Sequence, residues 1–185
     1  MKKTVILLLT ACLVLGSTAC SKKWKDVTAG AKVVTYESLE EMEQKADLIV
    51  TGKKIEGDLY VHKSASGQPH AAYSRFQIKS LLKDATENFK EGDEILVMEP
   101  DIPDEEEGVR YHVDDYTAMN RQDEYILFLQ YNESGYPKAC TILGVNFGVC
   151  SLGRDYKMKS YGGDTHEEID RWRENIREKY LPAVG

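Results

Sequence analysis

Four histidines are the side chains of this 185-residue sequence best suited to metal binding or acid–base catalysis. The run His166-Glu167-Glu168 begins like the helix of a zinc protease, but Asp170 stands where that motif needs its second histidine. The favoured interpretation of His62, His70 and His112 is that they are exposed loop residues. A metal-dependent hydrolase that uses them together with acidic loop residues stays an alternative.

The densest charge in the sequence is acidic and falls inside a predicted long loop from Glu99 to about Tyr116. Oxygen-rich loops can hold Ca²⁺, which takes six to eight oxygen ligands, but the EF-hand spacing and its glycine are missing here. A carboxylate pair for glycoside hydrolysis would have to be fixed in a cleft. We therefore predict a solvated loop, with no catalytic residue, metal or cofactor. The acids are Asp101, Asp104, Glu105, Glu106, Glu107, Asp114 and Asp115.

Cys140 and Cys150, which nine residues separate, could form a disulfide. A hairpin would bring their Cα atoms within the required distance of about 7 Å, and the bond would stabilise the fold by roughly 2–3 kcal/mol. Two unpaired core cysteines in strands are the alternative. A metal site is not indicated, because no CxxC or histidine pair lies nearby. No G-x-S-x-G motif is present for nucleophilic catalysis.

The N-terminus has the three parts of an export signal. Lys2 and Lys3 are followed by an apolar run from Val5 to Leu15 and then by the small residues 16–19. This pattern is typical of a secretory signal peptide. Its apolar run is shorter than the roughly 20 residues that a membrane-spanning helix needs. Residues 1–19 are therefore predicted to be a cleaved signal.

Cys20 directly follows that signal. Thr18-Ala19-Cys20 resembles the end of a bacterial lipobox, in which the cysteine is thioether-linked to diacylglycerol. Leu9 to Cys12 fits that pattern better, but cleavage there would leave almost no apolar region, so Cys20 is preferred. Two or more acyl chains hold a protein stably at a membrane. The resemblance implies an exported protein that is lipid-anchored to the cell membrane or outer envelope, ordinary secretion being the alternative.

Residues 20–34 are predicted to be a tether between the anchor and the folded domain. Lysines surround Trp24, a composition that suits an anionic headgroup layer, although a solvated linker explains it equally well. Without the signal, the net charge changes from −7 to −9. An acidic chain lacks the clustered basic face that nucleic acids require, so no nucleic-acid partner is expected.

The remaining sequence predicts one mainly-β (α+β) domain. Capping boxes at Ser38/Glu41 and Thr165/Glu168 mark one helix before the strands and one after them. We expect a small barrel of five or six strands over residues 35–160, and a C-terminal helix, residues 161–185, packed on or beside it. The predicted strands are 48–55, 73–80, 95–98, 125–129, and one or two within 136–152 broken at Gly144 and Gly148.

Several short motifs between about Thr35 and Leu152 carry a family resemblance: Ala46 to Gly52, Leu81-Leu82-Lys83, Glu91-Gly92-Asp93 and Glu124 to Leu129. Their order resembles uncharacterised bacterial envelope proteins whose domain is similar to the tissue-inhibitor-of-metalloproteinases and netrin-type OB barrels. The resemblance implies the fold. It does not imply inhibition, because the inhibitors use a free N-terminal cysteine amine and Cys20 would be acylated.

A non-catalytic binding module for a protein, peptide or glycan is the function that this pattern favours. Tyrosines offer a large contact area with a polar end, and five of them lie in or beside predicted loops. Strand-surface packing would explain them as well, and a protease-inhibitor-like protein stays an alternative. The candidate binding tyrosines are Tyr73, Tyr111, Tyr116, Tyr131 and Tyr136.

Overall fold

The computed structural model describes residues 24–29, 33–55, 60–113, 116–135, 137–153 and 165–184. The predicted signal peptide and Cys20 lie outside these ranges. The described elements are β1 (Lys25–Ala29), α1 (Leu39–Lys45), β2 (Leu48–Lys54), β3 (Tyr60–Lys63), β4 (Pro69–Asp84), β5 (Glu94–Glu99), β6 (Asp101–Asp104), β7 (Val109–Val113), β8 (Tyr125–Asn132), β9 (Ala139–Ile142), β10 (Val149–Ser151) and α2 (Thr165–Val184).

Five of these strands close into a barrel in the order β8-β2-β4-β5-β9, with β9 pairing back to β8. The β5–β9 pair is parallel, and the other four pairs are antiparallel. The long strand β4 also pairs with β3 near its start. The predicted mainly-β, OB-like barrel with a helix near each end is confirmed.

Strand β8 shows how the sequence builds two cores from one strand. Its side chains alternate in the period of two that any strand imposes. Tyr125, Leu127 and Leu129 point into the barrel, whereas Ile126 and Phe128 point outward against the helices. All five are at most 1% exposed, and burying each aliphatic or Phe side chain contributes roughly 1.5–3 kcal/mol. This explains why β8 is the most apolar of the predicted strands.

The two helices pack side by side on the outside of the barrel. Ser38 caps α1, its Oγ accepting a hydrogen bond of 3.2 Å from the backbone N–H of Glu41. From α2, the hydroxyl of Tyr180 donates to Glu43 of α1 at 2.7 Å. Trp172 of α2 meets the ring of Phe147, in the turn between β9 and β10, edge-on at 5.2 Å. Neither described helix is both long and apolar enough to cross a membrane.

The predicted acidic loop after Glu99 is wrong in its structure, because β6 and β7 form an antiparallel hairpin there. Its turn depends on Gly108, whose φ of +68° is a conformation that glycine adopts readily. In β7 the apolar residues Val109, Tyr111 and Val113 alternate with Arg110 and His112, a pattern typical of a strand, but the acidic residues around it favoured a loop. The predicted loop from His62 to His70 is likewise shorter, since it joins β3 and β4 over residues 64–68.

The structure adds a strand inside the segment predicted to be a tether. Strand β1 pairs in parallel with β7, from Lys25 opposite Val109 to Ala29 opposite Val113. A three-stranded sheet in the order β1-β7-β6 results, and it lies beside the barrel. Residues 25–29 of the predicted tether therefore form part of the folded structure.

The predicted disulfide is wrong, because Cys140 and Cys150 are both free and buried. Cys140 lies opposite Tyr131 and Cys150 opposite Ile126, on the same edge of β8. Five residues of strand separate these positions by about 17 Å, far beyond the distance that a disulfide bridges. The two thiols also belong to different cores, one inside the barrel and one under the helices. The alternative of two unpaired core cysteines in strands is confirmed.

Candidate functional site

Two acidic side chains occupy buried positions where β5 leaves the barrel. Buried side chains recur at every second residue along this strand, at Ile95, Val97 and Glu99, and Asp101 continues the alternation into β6. Glu99 and Asp101 are only 1% and 2% exposed. Charged residues are almost never buried so completely unless they are paired, so their partners define what the site is for.

Glu99 accepts four hydrogen bonds and is fully paired. Its Oε1 accepts from the Nζ of Lys54, at 3.0 Å, and from the hydroxyl of Ser74. Its Oε2 accepts from the hydroxyl of Tyr116, at 2.9 Å, and from the backbone N–H of Met119, at 2.7 Å. The side chains of Lys54 and Glu99 are 2% and 0% exposed. Glu99 thus fastens the segment after β7 across the end of the barrel, which is a structural role.

Asp101 makes fewer hydrogen bonds than Glu99 within the described part of the chain. Its Oδ2 lies 3.4 Å from an Nη1 of Arg110, and its backbone pairs with that of His112 across the β6–β7 hairpin. Burial raises the pKa of the Asp101 carboxyl above its usual 3.8; Arg110 and a backbone hydrogen bond from Ala118 lower it, but not enough to cancel that effect. On the β1 side, the Oγ1 of Thr28 lies 3.4 Å from the Nε2 of His112.

Two polar atoms of this group have no hydrogen-bond partner among the described residues: Oδ1 of Asp101 and Nε of Arg110. A buried polar atom without a partner costs about 1–3 kcal/mol, and such atoms are few in native proteins. The carboxylate oxygen can only accept, and the guanidinium N–H can only donate. Together they offer adjacent positions to a bound group that has both a donor and an acceptor.

Two neighbouring depressions are lined by the residues that carry these atoms. A cavity of about 280 Å³ lies between β1 and the β6–β7 hairpin, and Asp101, Arg110 and Tyr116 line it together with Asp26 of β1. A half-open cleft of about 710 Å³ adjoins it and reaches Lys54 at the barrel end. Trp24 and Arg110 line both spaces, and the guanidinium carbon of Arg110 lies 5.3 Å from the centre of a Trp24 ring. Together these spaces are the site, which we name the mouth cleft.

The five candidate tyrosines do not form one binding face. Tyr73 and Tyr116 are buried, Tyr116 in the barrel core and Tyr73 in a small cluster outside it. Tyr111 and Tyr131 are partly exposed but lie on β7 and β8, strands of two different sheets. Tyr136 lies outside the described residues. Tyr116 lines the mouth cleft, whereas Tyr73, Tyr111 and Tyr131 are not among its lining residues.

The three candidate metal-binding histidines do not come together at one place. The rings of His62 and His70 lie 4.7 Å apart on the β3–β4 hairpin, whereas His112 is buried on β7. Within the described part of the chain, no three His, Cys, Asp or Glu side chains are grouped so that they could hold a metal ion. The side chain of His166 lies outside what the structure describes.

The acidic cluster divides into buried and exposed members. Asp101 is buried, which corrects its assignment to a solvated loop. Asp104 accepts from the backbone N–H of Glu106, at 3.1 Å, and so stabilises the hairpin turn. The Glu106 carboxylate pairs at 2.6 Å with a lysine of β3 in an exposed ion pair. Asp114 and Asp115 lie outside the described residues.

No protein-family profile matches the chain, and no curated protein matches its sequence. Inference about function therefore depends on the mouth cleft itself.

Sequence reasoning did not select Lys54, Glu99 or Arg110. One signal for Glu99 was available, because the alternation of Ile95 and Val97 reaches it in register as an inward-facing residue. Lys54 and Arg110 had no such signal. The partner of Lys54 is Glu99, which is distant in sequence, and the partner of Arg110 is Asp101, on the other strand of the β6–β7 hairpin.

Proposed function

We propose that this chain is a membrane-anchored extracytoplasmic lipoprotein that binds a ligand in the mouth cleft without converting it. The observation that carries the proposal is the pair of unpartnered buried atoms on Asp101 and Arg110, two residues that line a half-open concave space. Ligand sites of proteins are concave spaces of about 300–1,000 Å³ with a few fixed polar groups, and the mouth cleft is of this kind.

The other reactive groups of the described chain favour binding over catalysis. The charge of Glu99 is compensated by Lys54, and all four of its hydrogen bonds are made within the protein. Burial raises the pKa of Cys140 to about 12 and that of Cys150 above its usual 9.0, so neither thiol is ionised at neutral pH. These groups hold the structure together and are not placed to attack a substrate.

The shape of the cleft favours an extended polymer over a folded protein. A stable interface between folded proteins buries about 800 Å² of surface on each partner. A narrow cleft with polar side chains along its walls instead admits one segment of a chain, such as a glycan or a peptide. Among the ligands considered from the sequence, these two fit the mouth cleft better than a protein surface does.

The proposed anchor would place the mouth cleft close to the membrane. Trp24 is four residues after Cys20, and four residues of extended chain span at most about 14 Å. If Cys20 carries the lipid, Trp24 lies within that distance of the thioether. The ligand is therefore one that is present within a short distance of the membrane surface.

Photo-crosslinking in the native envelope tests the proposal. A photoreactive phenylalanine derivative replaces Arg121, which is exposed and lines the cleft, or Asp170, which is exposed on α2. We expect ultraviolet-dependent adducts of the full-length lipoprotein from position 121 and none from position 170. Equal adducts at both positions, or no adducts at position 121, would refute a ligand site in the mouth cleft.

A further inference from the structure

We propose that the 280 Å³ cavity of the mouth cleft binds one unit of a neutral saccharide, with two adjacent hydroxyl groups bridging Asp101 and Arg110. This inference rests on the binding function proposed above and names its ligand class. Each hydroxyl group both donates and accepts. One hydroxyl can therefore donate to the free Oδ1 of Asp101 while its neighbour accepts from the free Nε of Arg110.

The charges of the cavity favour a neutral ligand. A cation would face the guanidinium of Arg110, and an anion would face the carboxylates of Asp101 and Asp26. Asp101 and Arg110 pair at 3.4 Å, so their charges largely compensate each other, and Asp26 is exposed, so solvent screens its charge. A polyhydroxyl ring satisfies both groups without introducing a buried charge of its own.

Two aromatic residues border the cavity. Trp24 and Tyr116 both line it, and aromatic rings provide large contact areas at small entropic cost. The hydroxyl of Tyr116 donates to Glu99 at 2.9 Å, which fixes the orientation of that ring. At about 280 Å³, the cavity is just below the ~300–1,000 Å³ range of small-molecule sites, a size that suits one sugar ring.

The adjoining cleft extends the site beyond a single ring. Trp24 and Arg110 border both spaces, so a ring in the cavity can continue as a chain into the 710 Å³ cleft. The cleft walls add the polar side chains of Asn120, Arg121 and Gln122. The structure therefore favours an oligosaccharide or a saccharide headgroup whose one unit occupies the cavity.

Entry requires β1 to move, because the two unpartnered atoms are shielded from solvent. Strand β1 is suited to this. Lys25, Asp26 and Thr28 are exposed, and Val27 is only partly buried, so little apolar contact holds the strand. It is attached by its backbone pairing with β7 and by a 3.0 Å hydrogen bond from the Lys25 N–H to the Gly108 carbonyl. Elements with few buried contacts open at low free energy.

Titration calorimetry with defined sugars tests the inference. The protein is the mature chain, residues 20–185, with Cys20→Ser for solubility. The probes are glucose, mannose, galactose and N-acetylglucosamine, their deoxy analogues that lack one of two adjacent hydroxyls, and cyclohexanol as a ring without such a pair. We expect saturable binding of at least one sugar, at least a tenfold loss of affinity for its matching deoxy analogue, and no binding of cyclohexanol. The deoxy comparison needs no protein variant and therefore does not depend on variant folding.

Protein variants then locate the sugar. Asp101→Asn and Arg110→Lys should each weaken binding at least tenfold, with Asp170→Asn and Arg171→Lys on α2 as matched controls that change it less than twofold. A sugar that binds equally to all four variants would overturn the assignment to the cavity. Thermal unfolding of each variant verifies that the loss is not a loss of fold.

The source of the sugar is distinguished by two further probes. Phosphatidylglycerol vesicles with and without a glycosyl-diacylglycerol represent a lipid headgroup, and a soluble oligosaccharide of the same sugar represents a polymer. Binding of either probe supports the inference and identifies the source. If no saccharide binds while the adducts at position 121 persist, the inference fails and the binding function stands. If those adducts are peptides, the ligand class is overturned in favour of a peptide.

Discussion

Replacing Glu99 by glutamine should cost this protein a large part of its stability. The substitution keeps the shape of the side chain but removes the negative charge that compensates Lys54, whose side chain is 2% exposed. Removing one partner of a buried ion pair costs about 3–5 kcal/mol, because the other charge is left uncompensated. The native structure as a whole is stable by only about 5–15 kcal/mol.

The hydrogen bonds of Glu99 predict a loss of stability of similar size. Two donors meet Oε1 and two meet Oε2. A glutamine amide offers one accepting oxygen, so its NH₂ group must face two donors at the other position. An unsatisfied buried donor costs about 1–3 kcal/mol, which overlaps with the charge effect and does not add fully to it. We therefore expect a loss of about 4 kcal/mol.

Urea denaturation monitored by circular dichroism measures this loss directly. At about 2–4 °C per kcal/mol for a domain of this size, the melting temperature should fall by roughly 8–16 °C. The matched control is Glu106→Gln, whose ion pair with Lys63 is 47% and 78% exposed and should change stability by less than about 1 kcal/mol. Adding Lys54→Met to Glu99→Gln should recover part of the loss, since it removes the uncompensated charge.

Two results would refute the reasoning. A loss below about 1 kcal/mol for Glu99→Gln would mean that Lys54 is solvated or neutral in the folded protein. A double variant that loses the full sum of both single effects would mean that the pair is not energetically coupled.

Four other predictions follow from the structure. Cys140 and Cys150 should not react with a thiol reagent in the native protein and should give two reactive thiols in guanidinium chloride without reductant; thiols that react in the denatured protein only after a reductant is added would restore the disulfide. Gly52→Ala should cost at least about 3 kcal/mol in denaturant unfolding, because its Cβ would lie 2.0 Å from a backbone oxygen of β4; a loss below 1 kcal/mol would show that β2 adjusts freely. Partial burial raises the pKa of Asp84, but hydrogen bonds from the three residues 86, 87 and 89 outweigh that effect and lower the pKa below 3.8. The stability that the Asp84 carboxylate contributes should be present above about pH 4 and be lost as pH falls further. The difference in unfolding free energy between the native protein and Asp84→Asn should therefore shrink on acidification, and a difference that grew would contradict this sign. Cys20→Ser should abolish both membrane retention and labelling by radioactive palmitate, and persistence of both would exclude the proposed anchor.

The barrel was predictable from the sequence where apolar residues alternate or run together. Strands β2, β5 and β8 bury apolar side chains whose period or density is visible locally. The capping residue Ser38 marked the start of α1 to within one residue, since a cap depends on neighbours only a few positions away. Local patterns of this kind specify elements before any tertiary contact is known.

The site was not predictable, because each of its interactions joins distant positions. Lys54 and Glu99 are separated by 45 residues and meet only through the register of β2, β4 and β5. The acidic residues of the β6–β7 hairpin masked the alternation of Val109, Tyr111 and Val113, and β1 pairs with this hairpin across more than 80 residues. Composition alone assigned Asp101 to solvent, whereas the continued alternation of β5 buries it.

The position of β1 connects the proposed anchor to the proposed site. Trp24 and Asp26 form one wall of the saccharide cavity, and they lie four and six residues after the cysteine that would carry the lipid. A force that lifts this segment toward the membrane would separate β1 from β7 and expose Asp101 and Arg110. A ligand that fills the cavity would instead bridge β1 and the hairpin and hold them together. Binding and the distance between domain and membrane are therefore linked through one short strand, so each must change the equilibrium of the other.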